Sequence, residues 1–241
     1  MLTDPRNRAP LKCLVGETTT GLTPRKFRFD YCDGPLPYPP GQSSFRIKGE
    51  FYRQSVAFLE YHAKKSEGRL QEILKREGLY DFSQQAFLAS SFYDVLPLPR
   101  MVMAVAEARD RDVRELTSYM GHGSVLGQLK GVYGPILNAL TPQNFCQRYE
   151  HVINHFYDFA PMRVTQVPGG ADIVRSGMPL CAAEWWSLVT APFMSVPLEA
   201  GGATEVQVVS RIEPGPELSG VRCGSVYTQL RWREGPAGAR R

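Results

Sequence analysis

None of the five cysteines (Cys13, Cys32, Cys146, Cys181 and Cys223) belongs to a CxxC pair, and their number is odd. A disulfide framework or a zinc ribbon is therefore excluded, and a reducing compartment is the expectation. No run approaches the ~18 apolar residues of a membrane span, and MLTDPRNRAPLK lacks the apolar centre of a signal peptide, so a cytoplasmic location is expected. The GxSxG elbow of hydrolases and the GK[ST] ending of a phosphate loop are both missing. The net charge is only +4 and no basic stripe concentrates it, which argues against nucleic acid as a partner. With 22% charged and 43% hydrophobic residues in 241, the chain has the balance of a folded globular protein rather than a disordered one.

The clearest pattern present is PQNFCQRYEHVINHFYDFAP, Pro142 to Pro161. Phe145, Tyr149, Val152, Phe156 and Phe159 step by four, three, four and three, which places them on one buried stripe of a helix. Thr141 suits its N-cap, Pro142 its first position and Pro161 its stop. Upstream, helices are predicted from Ile47, around Leu70, Ile73 and Leu74 up to Gly78, from Pro99 to Asp110, and from Asp112 to a stop at Gly121. A further helix is predicted from a Ser124 cap through Val125, Leu129, Val132, Ile136 and Leu140, bent at Pro135. In SSFYDVLPLPR two prolines bracket Leu98, which predicts a structured connection there.

Beyond Pro161 the period falls to two. MRVTQVP and ADIVRS around Gly169-Gly170 predict a hairpin, CAAEWWSLVTAPFMSV a helix, and EVQVVSRI with GSVYTQLRW a second hairpin. Val206, Val208 and Ile212 share one face of it with Val226, Leu230 and Trp232. RKFRFDYC alternates as a half-buried strand that could pair within Leu11 to Cys32, and DGPLPYPPGQSS reads as a linker. The predicted class is α+β: a helical layer on an antiparallel sheet, helices first, then hairpin, helix, hairpin. The expected division is an extension over residues 1–44, a main domain over 45–233 and a flexible tail over 234–241.

His151 and His155 form an HxxxH pair, a spacing used in metal and haem sites, but His151 falls on the polar side of the stripe and His155 on its shoulder. A solvated helix face is the better reading, and no metal is expected. GHGSVLGQLKG, from Gly121 to Gly131, has the glycines of an anion loop but follows no strand, so it reads as a turn between helices. The cysteines read as small apolar core residues. The aromatic residues carry the sharper expectation: Phe145, Tyr149, Val152 and Phe156 on one helix, with Trp185 and Trp186 on another, could enclose an apolar ligand. Plain core packing is the competing reading.

GEFYRQSVAFLEY near Gly49, REGLYDFS at Arg76 to Ser83, the Leu-Pro-Leu-Pro bend before Arg100 and the closing VYTQLRW resemble a myxobacterial paralogous family of unknown function. That family is itself similar to the ligand-binding fold of haem nitric-oxide-binding sensors, four-vinyl-reductase-type domains and TRAPP subunits. The likeness spans about residues 46 to 233. It implies a binding or regulatory module, often homodimeric. The haem sensors' proximal histidine and Tyr-x-Ser-x-Arg clamp are absent here, so no cofactor is expected. Three functions follow: a non-enzymatic sensor of a small apolar molecule, an enzyme whose Cys/His site assembles only in space, and a structural assembly subunit. A homodimer is expected because the Ile47 and Leu70 helices carry apolar residues on more than one face.

Overall fold

A computed structural model describes residues 14–15, 25–64, 66–130, 134–135, 139 and 141–234. In chain order its elements are β1 (Leu14–Val15), β2 (Arg46–Lys48), α1 (Gly49–Ala63), α2 (Glu67–Arg76), α3 (Tyr80–Ser83), β3 (Phe92–Asp94), α4 (Pro97–Arg109), α5 (Val113–Lys130), α6 (Phe145–Asn154), β4 (Met162–Val167), β5 (Gly170–Pro179), α7 (Leu180–Ala200), β6 (Ala203–Leu218) and β7 (Val221–Glu234). The class is α+β, helices on an antiparallel sheet, as the periodicity predicts. The sheet runs β1-β6-β7-β5-β4, antiparallel except for the short parallel β1 at its edge, and β2 pairs with β3 separately.

The organising element is α7 rather than the Pro142 stretch. Its residues from Leu180 to Ser195 are buried on almost every side, Trp185 and Trp186 completely. A helix apolar all round belongs inside the molecule, and here α5 lies on one side of it and the sheet on the other. Both hairpins follow from their turns. Pro168-Gly169 joins β4 to β5, with Gly169 at φ 65°, one residue earlier than the Gly-Gly turn predicted. Ser219-Gly220 joins β6 to β7, and both residues have positive φ, which matches the twist of the flanking strands. Val206, Val208, Ile212, Val226, Leu230 and Trp232 are buried together on the helix-facing side.

The helix α2 ends as expected. Leu79 N–H reaches the Leu74 carbonyl and Gly78 N–H that of Lys75, with Gly78 at φ 67°. Elsewhere the boundaries move. Pro97 and Pro99 both fall in the first turn of α4, where a missing N–H costs nothing, so the helix begins two residues before the predicted Pro99. No break occurs at Gly121 and no cap at Ser124, because α5 runs continuously through GHGS. Gly121 is there for contact: a Cβ at this position would stand 2.6 Å from the Val189 carbonyl oxygen, so the glycine lets α5 and α7 cross closely. Of the predicted 125–140 helix, Val125 is buried within α5, which continues through Leu129 to Lys130, and Val132, Ile136 and Leu140 lie outside the described residues.

RKFRFDYC is not a strand. Arg28 N–H bonds the Arg25 carbonyl and Cys32 N–H that of Phe29 in successive turns, and the Arg114 guanidinium takes the Arg25 and Arg28 carbonyls. Side chains thus satisfy backbone groups that a ladder would otherwise have used. The expected partner, Leu14–Val15, pairs with β6 instead. Residues 25–44, read as extension and linker, hold no further element but lie against the main domain. Phe29 and Cys32 are buried in its core, Arg114 bridges Asp30 and the buried Glu184, and Asp94 accepts hydrogen bonds from Gly41 and Ser43.

Candidate functional site

The helix α6 is shorter than predicted, Phe145 to Asn154. Asn144, not Thr141, precedes it, and the Asn144 side chain accepts from Thr141 N–H. Its inward face is Phe145, Tyr149 and Ile153, while Val152 is only half-buried on the shoulder. The helix stops because the next residues bind β2: Lys48 N–H donates to the Phe156 carbonyl, Asp158 N–H to that of Arg46, and Tyr157 bridges Ile47. Asn154 bonds both the N–H and carbonyl of Met162, and Glu150 accepts from Val164 N–H, so α6 caps the open edge of β4. Phe156 and Phe159 consequently reach the core from the turn and bends that follow the helix, not from a continuous helical stripe.

The six residues expected to enclose a ligand are only partly brought together. Phe145 stacks on Tyr149 at 4.6 Å between ring centroids and meets Trp232 edge-on. Phe156 turns toward α1, edge-on to Phe51 at 5.6 Å. Trp185 is buried one residue from Trp186 on α7. Tyr149 and Trp186 converge on a residue the patterns did not single out, Arg175 of β5. Its guanidinium carbon lies 3.8 Å from the Tyr157 ring centroid, 5.1 Å from that of Trp186 and 5.5 Å from that of Phe159. The signal was present in the strand period. Ala171, Ile173 and Arg175 share one face of β5, all three buried, and an arginine on an inward face is a departure that calls for a partner.

Arg175 is fully buried, and its Nε donates to the Ala160 carbonyl at 2.5 Å and its Nη2 to the Phe159 carbonyl at 3.1 Å. Its Nη1 has no acceptor, and no carboxylate pairs with it among the described residues. Tyr149 Oη, Tyr157 Oη, Trp185 Nε1 and Trp186 Nε1 are likewise buried without a hydrogen-bond partner of adequate geometry. Each such group costs about 1–3 kcal/mol when left unsatisfied. Burial lowers Arg175 to about 10, opposed by its interactions with Tyr157 and Tyr149. Burial also pushes the Tyr157 phenol up to about 12, although Arg175 pulls it down, and raises Tyr149 well beyond the ordinary phenol. The result is a cation among neutral donors inside an aromatic wall, with no counter-charge among the described residues.

The other candidate groups lie apart from it. His151 and His155 are exposed at the end of α6, and burial followed by Lys48 and His151 lowers the His155 imidazole. His122 is half-buried on α5, within hydrogen-bond distance of the Ser118 carbonyl. Among the described residues no cluster of three or more His, Cys, Asp or Glu is arranged to hold a metal. The Cys32 thiol donates to the Cys181 carbonyl, and burial raises Cys32 far above an ordinary thiol and Cys181 to about 11. Neither forms the thiolate a nucleophile requires near neutral pH.

No family model matches the chain, and no curated protein matches it in sequence. Solved structures do. A Cs H-NOX carrying 4-cyano-L-phenylalanine aligns at 13% identity and a TM-score of 0.55, over 79% of this chain and 98% of its own. The fold is H-NOX-like. An H-NOX of T. tengcongensis aligns at 12% identity and 0.53, over 79% of this chain and 100% of its own. An oxygen-binding H-NOX domain described as related to soluble guanylate cyclases aligns at 13% and 0.53, over 78% and 96%. Identities this low establish the architecture alone. No helix among the described residues is long and apolar enough to cross a membrane.

Proposed function

We propose that this chain is a non-enzymatic sensor or regulatory module that buries a small molecule between α6, α7 and the sheet. The observation that carries this reading is Arg175 with its unpartnered Nη1, facing Tyr149, Tyr157 and Trp186. An apolar body alone would leave these donors unanswered, so the ligand we infer is apolar with one acceptor end, a carboxylate being the simplest. Its oxygens would accept from Arg175 and the two phenols, and charge-assisted bonds of this kind are roughly twice as strong as neutral ones. The protonated, buried cysteines and the outlying histidines favour binding over a Cys/His enzyme.

The similar structures include a domain described as oxygen-binding, and the resemblance to haem sensors raises the question of a porphyrin. Arg175, Tyr149 and Tyr157 offer what a propionate requires. Iron also requires an axial ligand, and among the described side chains the imidazoles, those of His122, His151 and His155, lie outside this cluster. The described residues do not fit a histidine-ligated haem. Kinship with the myxobacterial paralogous family is part of the same proposal, supported by the GEFYRQSVAFLEY, REGLYDFS and VYTQLRW segments. A homodimer is supported by Tyr61, Tyr119 and Leu126, which are 70%, 62% and 45% exposed on α1 and α5. Sedimentation at micromolar concentration tests the dimer, and a concentration-independent monomer sinks it. For the ligand site, native mass spectrometry after incubation with decanoate should show a one-to-one adduct that Arg175→Met loses. An adduct equally retained by the variant would contradict the assignment.

A further inference from the structure

Away from Arg175, a space opens where α1 and α2 diverge over α4. Its volume is about 360 Å3, within the roughly 300–1,000 Å3 of small-molecule sites. The inner wall is Leu59, Ala63, Leu74, Met101 and Val105, all buried, with Leu70 half-buried at one edge. The mouth is polar: Glu60 and Glu67 stand there beside Lys64. Neither carboxylate has a salt-bridge partner among the described residues, and Glu67 accepts only a long bond from Gln71. A shallower space continues along α1 past Gln54 and Phe87, and Val56 and Glu60 belong to both. Glu60 thus stands where the two meet, at the boundary between apolar wall and water.

We propose that this α1–α2–α4 space is a binding site for an amphiphile with an unbranched apolar body and a cationic head. The body lies on the Leu59, Leu74 and Met101 wall, and the ammonium sits at Glu60, with Glu67 adding to the negative rim. The apolar wall rewards removal of hydrocarbon from water, and among the described residues of the mouth two carboxylates face one ammonium, Lys64, which selects a cationic head. The site is independent of Arg175, whose charge selects the opposite sign.

The probe is N-phenyl-1-naphthylamine, a neutral dye that brightens in apolar surroundings, displaced in turn by decylammonium and decanoate below their micellar concentrations. One saturable dye site is expected, and decylammonium should displace at a concentration at least tenfold lower than decanoate. Leu70→Trp, which fills the space from its half-buried edge, should weaken dye binding at least tenfold. Glu60→Gln, at an exposed position, should keep the dye site while removing most of the preference for the cation. Dye binding unchanged in Leu70→Trp, or equal displacement by the two ions in the unsubstituted protein, would overturn the proposal. Should Leu70→Trp fail to fold by circular dichroism, the Glu60→Gln comparison still decides it, since an unaltered preference there refutes the assigned head position.

Discussion

Replacing Arg175 by methionine keeps most of the side-chain volume while removing a buried charge. In the free protein that charge is costly. Holding the guanidinium at about 10 instead of its ordinary 12.5 corresponds to about 3 kcal/mol of unfavourable burial at neutral pH. Methionine removes this cost but strands the Ala160 and Phe159 carbonyls, which Arg175 now satisfies, at about 1–3 kcal/mol each. The two effects oppose each other, so Arg175→Met should be within about 3 kcal/mol of the unsubstituted protein, whereas breaking a paired buried ion costs about 3–5 kcal/mol. Urea denaturation without ligand measures the difference, and its m-value checks that the native state has kept its compactness. Saturating decanoate should then stabilise the unsubstituted protein and leave the variant where it was. A loss of 5 kcal/mol or more in the free protein, with no separation on adding decanoate, would show Arg175 to be a structural strut and refute the reasoning.

Phe156, 2% exposed and packed edge-on to Phe51, should cost about 3–5 kcal/mol on replacement by alanine, whereas exposed His151→Ala should stay within about 0.5 kcal/mol; equal effects in chemical denaturation would mean that the segment after α6 is misplaced. Glu107 is held below the usual carboxylate range chiefly by its hydrogen bonds to Arg76. A depressed carboxyl contributes stability above its unfolded value of about 4.5 and loses it as pH falls through the lower folded value. The advantage of the unsubstituted protein over Glu107→Gln should therefore shrink as pH falls from about 4.5 through that window. Denaturation midpoints at pH 7 and pH 3 measure it, and an advantage that grows toward acid would reverse the assigned sign.

Much of the fold was legible because its signals are local. Period-two runs on either side of Gly169-Gly170 mark the first hairpin, the runs EVQVVSRI and GSVYTQLRW mark the second, and Gly78 marks the end of α2. What misled were signals that tertiary contacts override. The alternation of Phe27, Phe29 and Tyr31 reads as a strand until Arg114, distant in sequence, claims the carbonyls of the segment. Gly121 reads as a helix stop until Val189 shows that it is a close-contact position inside a helix. The helical stripe named Tyr149 correctly as an inward residue, yet Tyr157 was invisible to it because β2 pulls the chain out of the helix two residues earlier. Arg175 was counted as an ordinary strand residue. Its meaning comes from the face it shares with Ala171 and Ile173, and from the lack of a facing carboxylate among the described residues, which only the assembled structure shows.

The central claim is that an acceptor belongs against Arg175, among Tyr149, Tyr157 and Trp186. Isothermal calorimetry of decanoate and of the uncharged decanol against the unsubstituted protein and Arg175→Met tests it most directly. The account predicts one site for decanoate, weakened at least tenfold in Arg175→Met, with decanol weaker than decanoate in the unsubstituted protein and nearly indifferent to the substitution. Decanol binding as tightly as decanoate, or decanoate binding undiminished in Arg175→Met, would contradict it.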